Sequence, residues 1–237
     1  MSKMKGFCMV SASFEQVIGR DSSYIDFESL ERPVHCELVP EFLSLKSAAR
    51  GAGFDLRIAS GFRDFERQLT IWNQKAEGKR PLLDAQGREL EYTALPPDQV
   101  LSSILRWSAL PGASRHHWGS DIDIYDAAAV DDGYVVQLTG AECESGGPFA
   151  PFHCWLTEYL AGQSAFFRPY DSDMGGVSPE PWHLSYRPLA QKYGLAMDAR
   201  ALYAVLESVN LGLRDLVLAR FDEIFQRYVL NLGSLKR

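Results

Sequence analysis

Positive charge is not in excess in this sequence. It sets 31 Asp and Glu against 24 Lys and Arg, a formal net charge of −7. Nucleic-acid binders usually carry a basic face, so the balance argues against that class of partner. No run of like charge is long enough to be an interaction tail. Nor does any segment reach the ~18 apolar residues of a membrane span. Near the N-terminus the apolar patch Gly6-Phe7-Cys8-Met9-Val10 is soon interrupted by Ser11, Ser13 and Glu15. A secretory signal needs a longer apolar core. The chain as written is therefore expected in the cytoplasm, or in the periplasm if translation starts upstream.

Cysteine is scarce. Cys8, Cys36, Cys143 and Cys154 are scattered and none pair as Cys-x-x-Cys. A chain of 237 residues does not need staples, so reduced, mostly buried thiols are favoured over disulfides. Internal repeats and low-complexity stretches are absent too. The length suits one well-filled domain, or one domain with an appendage.

Residues 1–38 read as irregular structure with short strands. His35 beside Cys36 has no matching second pair and reads as a structural histidine. Phe42, Leu43, Leu45, Ala48 and Ala49 recur at helical spacing, and Gly51-Ala52-Gly53 stops the helix. Leu56 to Ala59 is a short strand, which Gly61 lets the chain leave tightly. Phe65, Leu69 and Trp72 then mark a helix to about Ala76, with Arg63 near its start and Gln68 one turn on. Residues 77–97 are turn-rich, an excursion over or beside any site on the strands. Asp98 to Ser108 reads as a helix, with Val100, Ile104 and Trp107 inward. Residues 126–150 are loop-like. Residues 151–162 read as a helix that leaves His153 exposed or merely hydrogen-bonded. The tail, 188–237, is helical, with Ala201, Leu202, Val205 and Leu206 on one apolar face and a second face after Gly212.

Two stretches carry chemistry. In Ser114-Arg115-His116-His117-Trp118-Gly119-Ser120-Asp121-Ile122-Asp123, the pattern from Gly119 onward alternates as a strand does. Asp121, Asp123 and Tyr125 then share one face, and Ile122 and Ile124 the other. Gly119 would let the chain pass close to a bound metal. The second stretch is Glu180-Pro181-Trp182-His183, continuing to Tyr186 as a strand beside the first. Pro179 and Pro181 stiffen the backbone around Glu180. A catalytic zinc takes three ligands from His, Asp, Glu or Cys and keeps one position open. A separate carboxylate then moves the proton of the attacking water. His116, Asp123 and His183 supply the ligands, and Glu180 the base. His117 competes as a ligand, but the gap to Asp123 and the Ser-x-His frame favour His116. Either pattern alone is common by chance; together, with their flanking residues, they point to a zinc site.

Ser-x-His-x-x-Gly-x-x-x-Asp followed by Glu-Pro-Trp-His resembles the VanY/VanX-type zinc peptidases, the D-alanyl-D-alanine carboxypeptidase family or LAS group. Ser60-Gly61-Phe62-Arg63, with Gln68 five residues after the arginine, resembles that family's upstream motif. The likeness spans about residues 40–190. It implies an α+β fold, a small antiparallel sheet with flanking helices around a zinc cleft (LAS/hedgehog-like). It implies zinc on His116, Asp123 and His183, with Glu180 as catalytic base and Arg63 stabilising the oxyanion. Gln68 and Ser114 would bind substrate, with Trp182 and Asp121 completing the set. Asp121 departs from the family, which usually has a small residue there. It would orient a histidine or repel an anionic substrate end.

The expected function is hydrolysis of a peptide bond at a D-amino acid in a peptidoglycan-derived peptide, most simply D-Ala-D-Ala. The alternatives are an L,D-carboxypeptidase, a lysin-type endopeptidase, a dipeptidase, or a binding protein that has lost catalysis. Residues 1–190 are expected as the peptidase domain. Residues 191–237 are expected as a helical extension packed on it or on a second subunit.

Overall fold

The computed structural model describes residues 12–162 and 164–232. Cys8 and the apolar patch around it lie outside the described residues. The N-terminal part holds a single turn of helix, α1 (Phe14–Val17), capped reciprocally by Ser13 and Gln16. A two-residue ladder of β1 (Ile25–Asp26) and β2 (Val34–His35) follows.

The centre of the molecule is a four-stranded antiparallel sheet. Its members are β3 (Leu56–Ser60), β6 (Asp121–Asp126), β7 (Phe166–Phe167) and β8 (His183–Tyr186), in the order β3-β6-β8-β7. Alternation divides its two faces as expected. Leu56, Ile58, Ile122, Ile124 and Leu184 point one way and are buried. There they meet Phe42, Leu45 and Ala49 of α2 (Val39–Gly51) and Phe152 and Leu156 of α6 (Ala150–Ala161). The opposite face carries Asp121, Asp123, His183 and Ser185, all buried as well. Something must therefore cover a polar surface and satisfy it.

The cover is a second, helical core. Phe65, Trp72 and Ala76 of α3 (Phe65–Ala76) pack with Val100, Leu101, Ile104 and Leu105 of α4 (Pro97–Trp107). Between these helices runs a small hairpin, β4 (Leu82–Leu83) and β5 (Glu89–Leu90). The short helix α5 (Gly140–Cys143) interrupts the loop after β6. The C-terminal helices α8 (Ala199–Ser208), α9 (Arg214–Ala219) and α10 (Phe221–Ile224) insert Leu202, Leu206, Val217, Phe221 and Ile224 into the same cluster. Helix α7 (Arg187–Leu195) packs Leu189, Ala190 and Tyr193 against Trp118 and Phe167. The α+β expectation, with a small antiparallel sheet and flanking helices, is met.

Other expectations need correction. Cys36, Cys143 and Cys154 are free thiols, but Cys36 and Cys154 are exposed rather than buried. Leu43 of α2 points to solvent. His153 is hydrogen-bonded, as one half of its expectation had it, with Arg168 donating to Nδ1 at 3.2 Å, but it is buried rather than exposed. Among the described residues, no helix is long and apolar enough to cross a membrane.

Candidate active site

The site is assembled at the junction of the two layers. Asp123 of β6 is paired in register with Ser60 of β3 on one side and with His183 of β8 on the other. A bulge between Ile58 and Ser60 shifts the β3 register, so the chain leaving the strand turns over the polar face. There Gly61 lies under the Pro33 carbonyl; a Cβ would sit 2.2 Å from that oxygen. The strand exit is locked to a 3-10 turn, Arg115–Trp118, that precedes β6. Arg63 N–H donates to the His116 carbonyl at 3.1 Å, and His117 Nδ1–H donates back to the Arg63 carbonyl at 2.6 Å. Gly119 ends the turn with φ +62°. A Cβ there would strike Ile25 and the backbone of His35. Its service is this left-handed turn against β2, not the close approach to a metal that the sequence suggested.

These constraints turn three donor atoms on one another. His116 donates Nδ1–H to the Gly61 carbonyl at 2.9 Å, which leaves the Nε2 lone pair facing inward. His183 donates Nε2–H to Asp121 Oδ1 at 3.0 Å, which leaves Nδ1 facing inward. Asp123 lies 3.4 Å from each: Oδ2 from His116 Nε2 and Oδ1 from His183 Nδ1. All three groups are buried, with their donor atoms within 4.8 Å of one another. Asp123 Oδ1 is buried without a hydrogen bond. An unsatisfied carboxylate oxygen between two imidazole nitrogens suits a cation.

The electrostatics distinguish the two imidazoles. Burial holds the His116 imidazole down at about 4, in the neutral form that ligates metals. Burial opposes charge on His183 too, but the carboxylates of Asp121, Asp123 and Glu180 around the ring outweigh it and lift its pKa well above the ordinary value, so a metal at Nδ1 would have to displace a proton. Glu180 Oε2 stands 3.2 Å from His183 Nδ1, and burial raises the Glu180 carboxyl. Glu180 N–H donates to the Tyr170 carbonyl at 2.9 Å, so the residue between the prolines is also tied down.

The other expected residues divide. Ser114 and Trp182 line the cavity, which measures about 390 Å³, and so does Arg63. Gln68 does not reach it. With only 1% of its surface exposed, its Nε2 donates to the Ala109 carbonyl and its Oε1 accepts from Arg63 Nη1 at 2.9 Å. It fixes the arginine instead of meeting a substrate. Asp121 is likewise removed from the cavity. Its oxygens accept from Arg115 Nε at 2.7 Å, Ser120 Oγ, Ser185 Oγ and His183 Nε2. Burial would raise this carboxyl, but Arg115 holds it well below the usual carboxylate range. His117 is no rival ligand: Gly112 N–H donates to Nε2 at 3.1 Å, and both ring nitrogens are spent.

Sequence reasoning missed several participants. Tyr170 lines the cavity with its ring edge-on to His183, centroids 5.1 Å apart. Arg115 is buried over Trp118 and neutralises Asp121. Lys75 and Arg80 also line the cavity. Of these only Arg115 had a signal, since a buried aspartate beside a ligand histidine needs a countercharge.

Residues 31–189, well over half of the chain, match the VanY family, described as D-alanyl-D-alanine carboxypeptidase. An uncharacterized protein of Haemophilus influenzae is 32% identical over 123 residues, 51% of this chain and 93% of that one. A D-alanyl-D-alanine carboxypeptidase of Enterococcus faecalis is 30% identical over 155 residues, 65% of this chain but only 48% of its own length. Among solved structures, the LdcB LD-carboxypeptidase is similar in fold, with a TM-score of 0.50 at 20% identity, over 86% of this chain and 78% of that one. The matched residues include the strand exit, the His-x6-Asp stretch and the Glu-Pro-Trp-His stretch that meet around the cavity, and the chain belongs to the VanY family of D-alanyl-D-alanine carboxypeptidases.

Proposed function

We propose that this protein is a zinc peptidase that cleaves a peptide bond at a D-amino acid in peptidoglycan-type peptides, most simply the terminal D-Ala-D-Ala bond. The observation that carries the reading is the convergence of His116 Nε2, Asp123 and His183 Nδ1 around a buried, unpartnered carboxylate oxygen. With the Nδ1 proton of His183 displaced by the metal, two neutral imidazoles and one carboxylate form a ligand set that leaves zinc net positive. When bound, zinc supplies Lewis acidity, lowering the pKa of water and polarising a carbonyl.

The chain's own groups do the rest. Glu180, raised by burial and held beside His183, accepts the proton of the attacking water and returns it to the leaving amine. Arg63, gripped by Gln68 and by Ser60 Oγ at 3.3 Å, presents a fixed cation to the developing oxyanion. Gln68 acts through Arg63 as a positioning residue. Asp121 sets the tautomer of His183. Ser114, Trp182 and Tyr170 shape the bed in which the peptide lies.

Zinc-loaded protein incubated with a panel of muropeptides and read by mass tests this directly. Loss of one alanine from a pentapeptide is the expected result. Loss from a tetrapeptide selects an L,D-carboxypeptidase, and an internal cut selects an endopeptidase. Glu180→Ala is expected to lower turnover by roughly 10²–10⁴-fold while zinc stays bound. Unchanged turnover would remove Glu180 from the mechanism, and no turnover in the parent protein would leave only a peptide-binding role.

A further inference from the structure

The cavity has two ends of opposite sign. Towards the sheet lie Asp123 and Glu180 with the two histidines. On the wall built by α3 and the turn after it lie Lys75 and Arg80. Arg63 is attracted by the first group and repelled by Arg80.

Cations brought this close together normally have a carboxylate among them. Here, among the described residues, the ion pairs include none of Arg63, Lys75 and Arg80. Lys75 Nζ is held by a neutral group, Ser108 Oγ, at 2.6 Å, and Ser108 also lines the cavity. Arg80 is held through Nε, which donates to Gln74 Oε1 at 2.6 Å. Its terminal nitrogens are not spent in that bond. Burial, with repulsion from Arg80 and Arg63 and against the weaker pull of Glu180, pushes the Lys75 ammonium down to about 8. A desolvated ammonium with Arg80 beside it and apolar walls around it, Leu83 and Trp107 among them, is costly unless an anion joins the pair. Arg63 does not fill that need, because Gln68 and Ser60 hold it.

We infer that Lys75 and Arg80, with Ser108, form a subsite for a carboxylate of the peptide substrate, separate from the group that meets the scissile carbonyl. The inference rests on the peptidase reading above for the nature of the ligand. Peptidoglycan peptides offer this chemistry from two sources, the free C-terminal carboxylate and the side-chain carboxylate of a diaminopimelate residue. Both present two oxygens to a cation pair, and charge-assisted hydrogen bonds of this kind are about twice as strong as neutral ones.

The test measures binding apart from turnover, by calorimetry on the full-length, zinc-loaded Glu180→Ala protein. One arm compares a tripeptide ending in Lys-D-Ala-D-Ala as free acid and as C-terminal amide. The other compares pentapeptides carrying diaminopimelate or lysine at the third position. In at least one arm the anionic partner is expected to bind roughly tenfold tighter or more, and that arm names the source. In a Lys75→Met, Arg80→Gln double variant the gap is expected to vanish with zinc content and melting temperature held. Should the double variant fail to fold, Arg80→Gln alone must reduce the gap. Equal binding in both arms, no binding at all, or a gap that survives the substitutions would overturn the subsite. Hydrolysis by the parent protein is scored separately. Turnover without charge preference removes the subsite alone; charge-selective binding without turnover removes the peptidase reading alone.

Discussion

At the scale of single residues, Asp121 shows how an ion-pair network fixes a proposed ligand, His183. It accepts from His183 on one side and from Arg115 on the other, with two serine hydroxyls filling its remaining lone pairs. Asp121→Ala, which installs the small residue its family usually carries, strands Arg115 in the interior. The expected cost is about 3–5 kcal/mol of stability, read by urea unfolding. Asp121→Asn keeps the shape and weakens the polarisation of His183; zinc affinity is expected to fall roughly 10–100-fold in competition with a chelator. A second prediction concerns two histidines away from the cavity. Burial lowers His35 to about 4 and His153 to about 3, against 6.5 in the unfolded chain. The unfolded state therefore takes up protons first as pH falls. Their contribution is complete above about 6.5 and is lost on the way down to about 4 for His35 and about 3 for His153, roughly 1–2 kcal/mol each at pH 5. The urea midpoint should drop between pH 7.5 and pH 5, and His153→Gln should flatten that drop. The reactive set itself was legible, because its side chains are few, polar and sequence-local in two motifs. Lys75 and Arg80 were not legible, since a solvated surface cation and one buried against a cavity look the same in a string of letters.

At the scale of elements, the strands that carry the polar face could be read, while the hairpin β4–β5, strand β7 and the short turns could not. The alternation from Asp121 to Tyr125 announced β6 with its correct faces, and the prolines around Glu180 announced the entry to β8. The 3-10 turn Arg115–Trp118 carried no periodic signal, being too short for one, yet it sets the aim of His116. The one-turn helix Phe14–Val17 escaped for the same reason, and only its capping box could have marked it. Gly119 was assigned the wrong duty because its neighbours come from β1 and β2, far away in sequence. Gly119→Ala is therefore expected to act on the fold before it acts on the metal. It places a Cβ against the His35 backbone at a left-handed position, at a cost of roughly 2–4 kcal/mol. Thermal melts of metal-free protein should show the loss in full; an effect confined to zinc-loaded protein would restore the discarded role.

At the scale of the whole molecule, the C-terminal helices are bound into the core beneath the cavity. Trp72 Nε1 donates to the Gly212 carbonyl at 2.9 Å, and Gly212 N–H donates to Asn73 Oδ1 at 2.7 Å. Leu202, Leu206 and Val217 share one apolar cluster with Phe65 and Trp72 of the helix that holds Gln68. We propose that residues 191–237 are an extension on which the peptidase unit depends. Removing them uncovers the far side of α3 and α4, and the truncated chain is expected to be insoluble or to lack a cooperative melt. A truncated protein that melts cooperatively and binds zinc would show the extension to be an accessory. Amphipathic spacing in the sequence had placed these apolar faces; which surface they cover depends on pairings across more than a hundred residues, and no local pattern encodes that.

The order of the sheet has a consequence for biogenesis. Strand β8 lies between β6 and β7, both of which precede it in the chain. The sheet is thus finished by insertion of the segment that brings His183, the third donor. Until that segment has left the ribosome, a growing polypeptide holds His116 and Asp123 without their partner, and the proposed zinc site would have only two of its donors. On the proposed mechanism, hydrolytic power would be switched on late in synthesis, when the wedge between two waiting strands arrives.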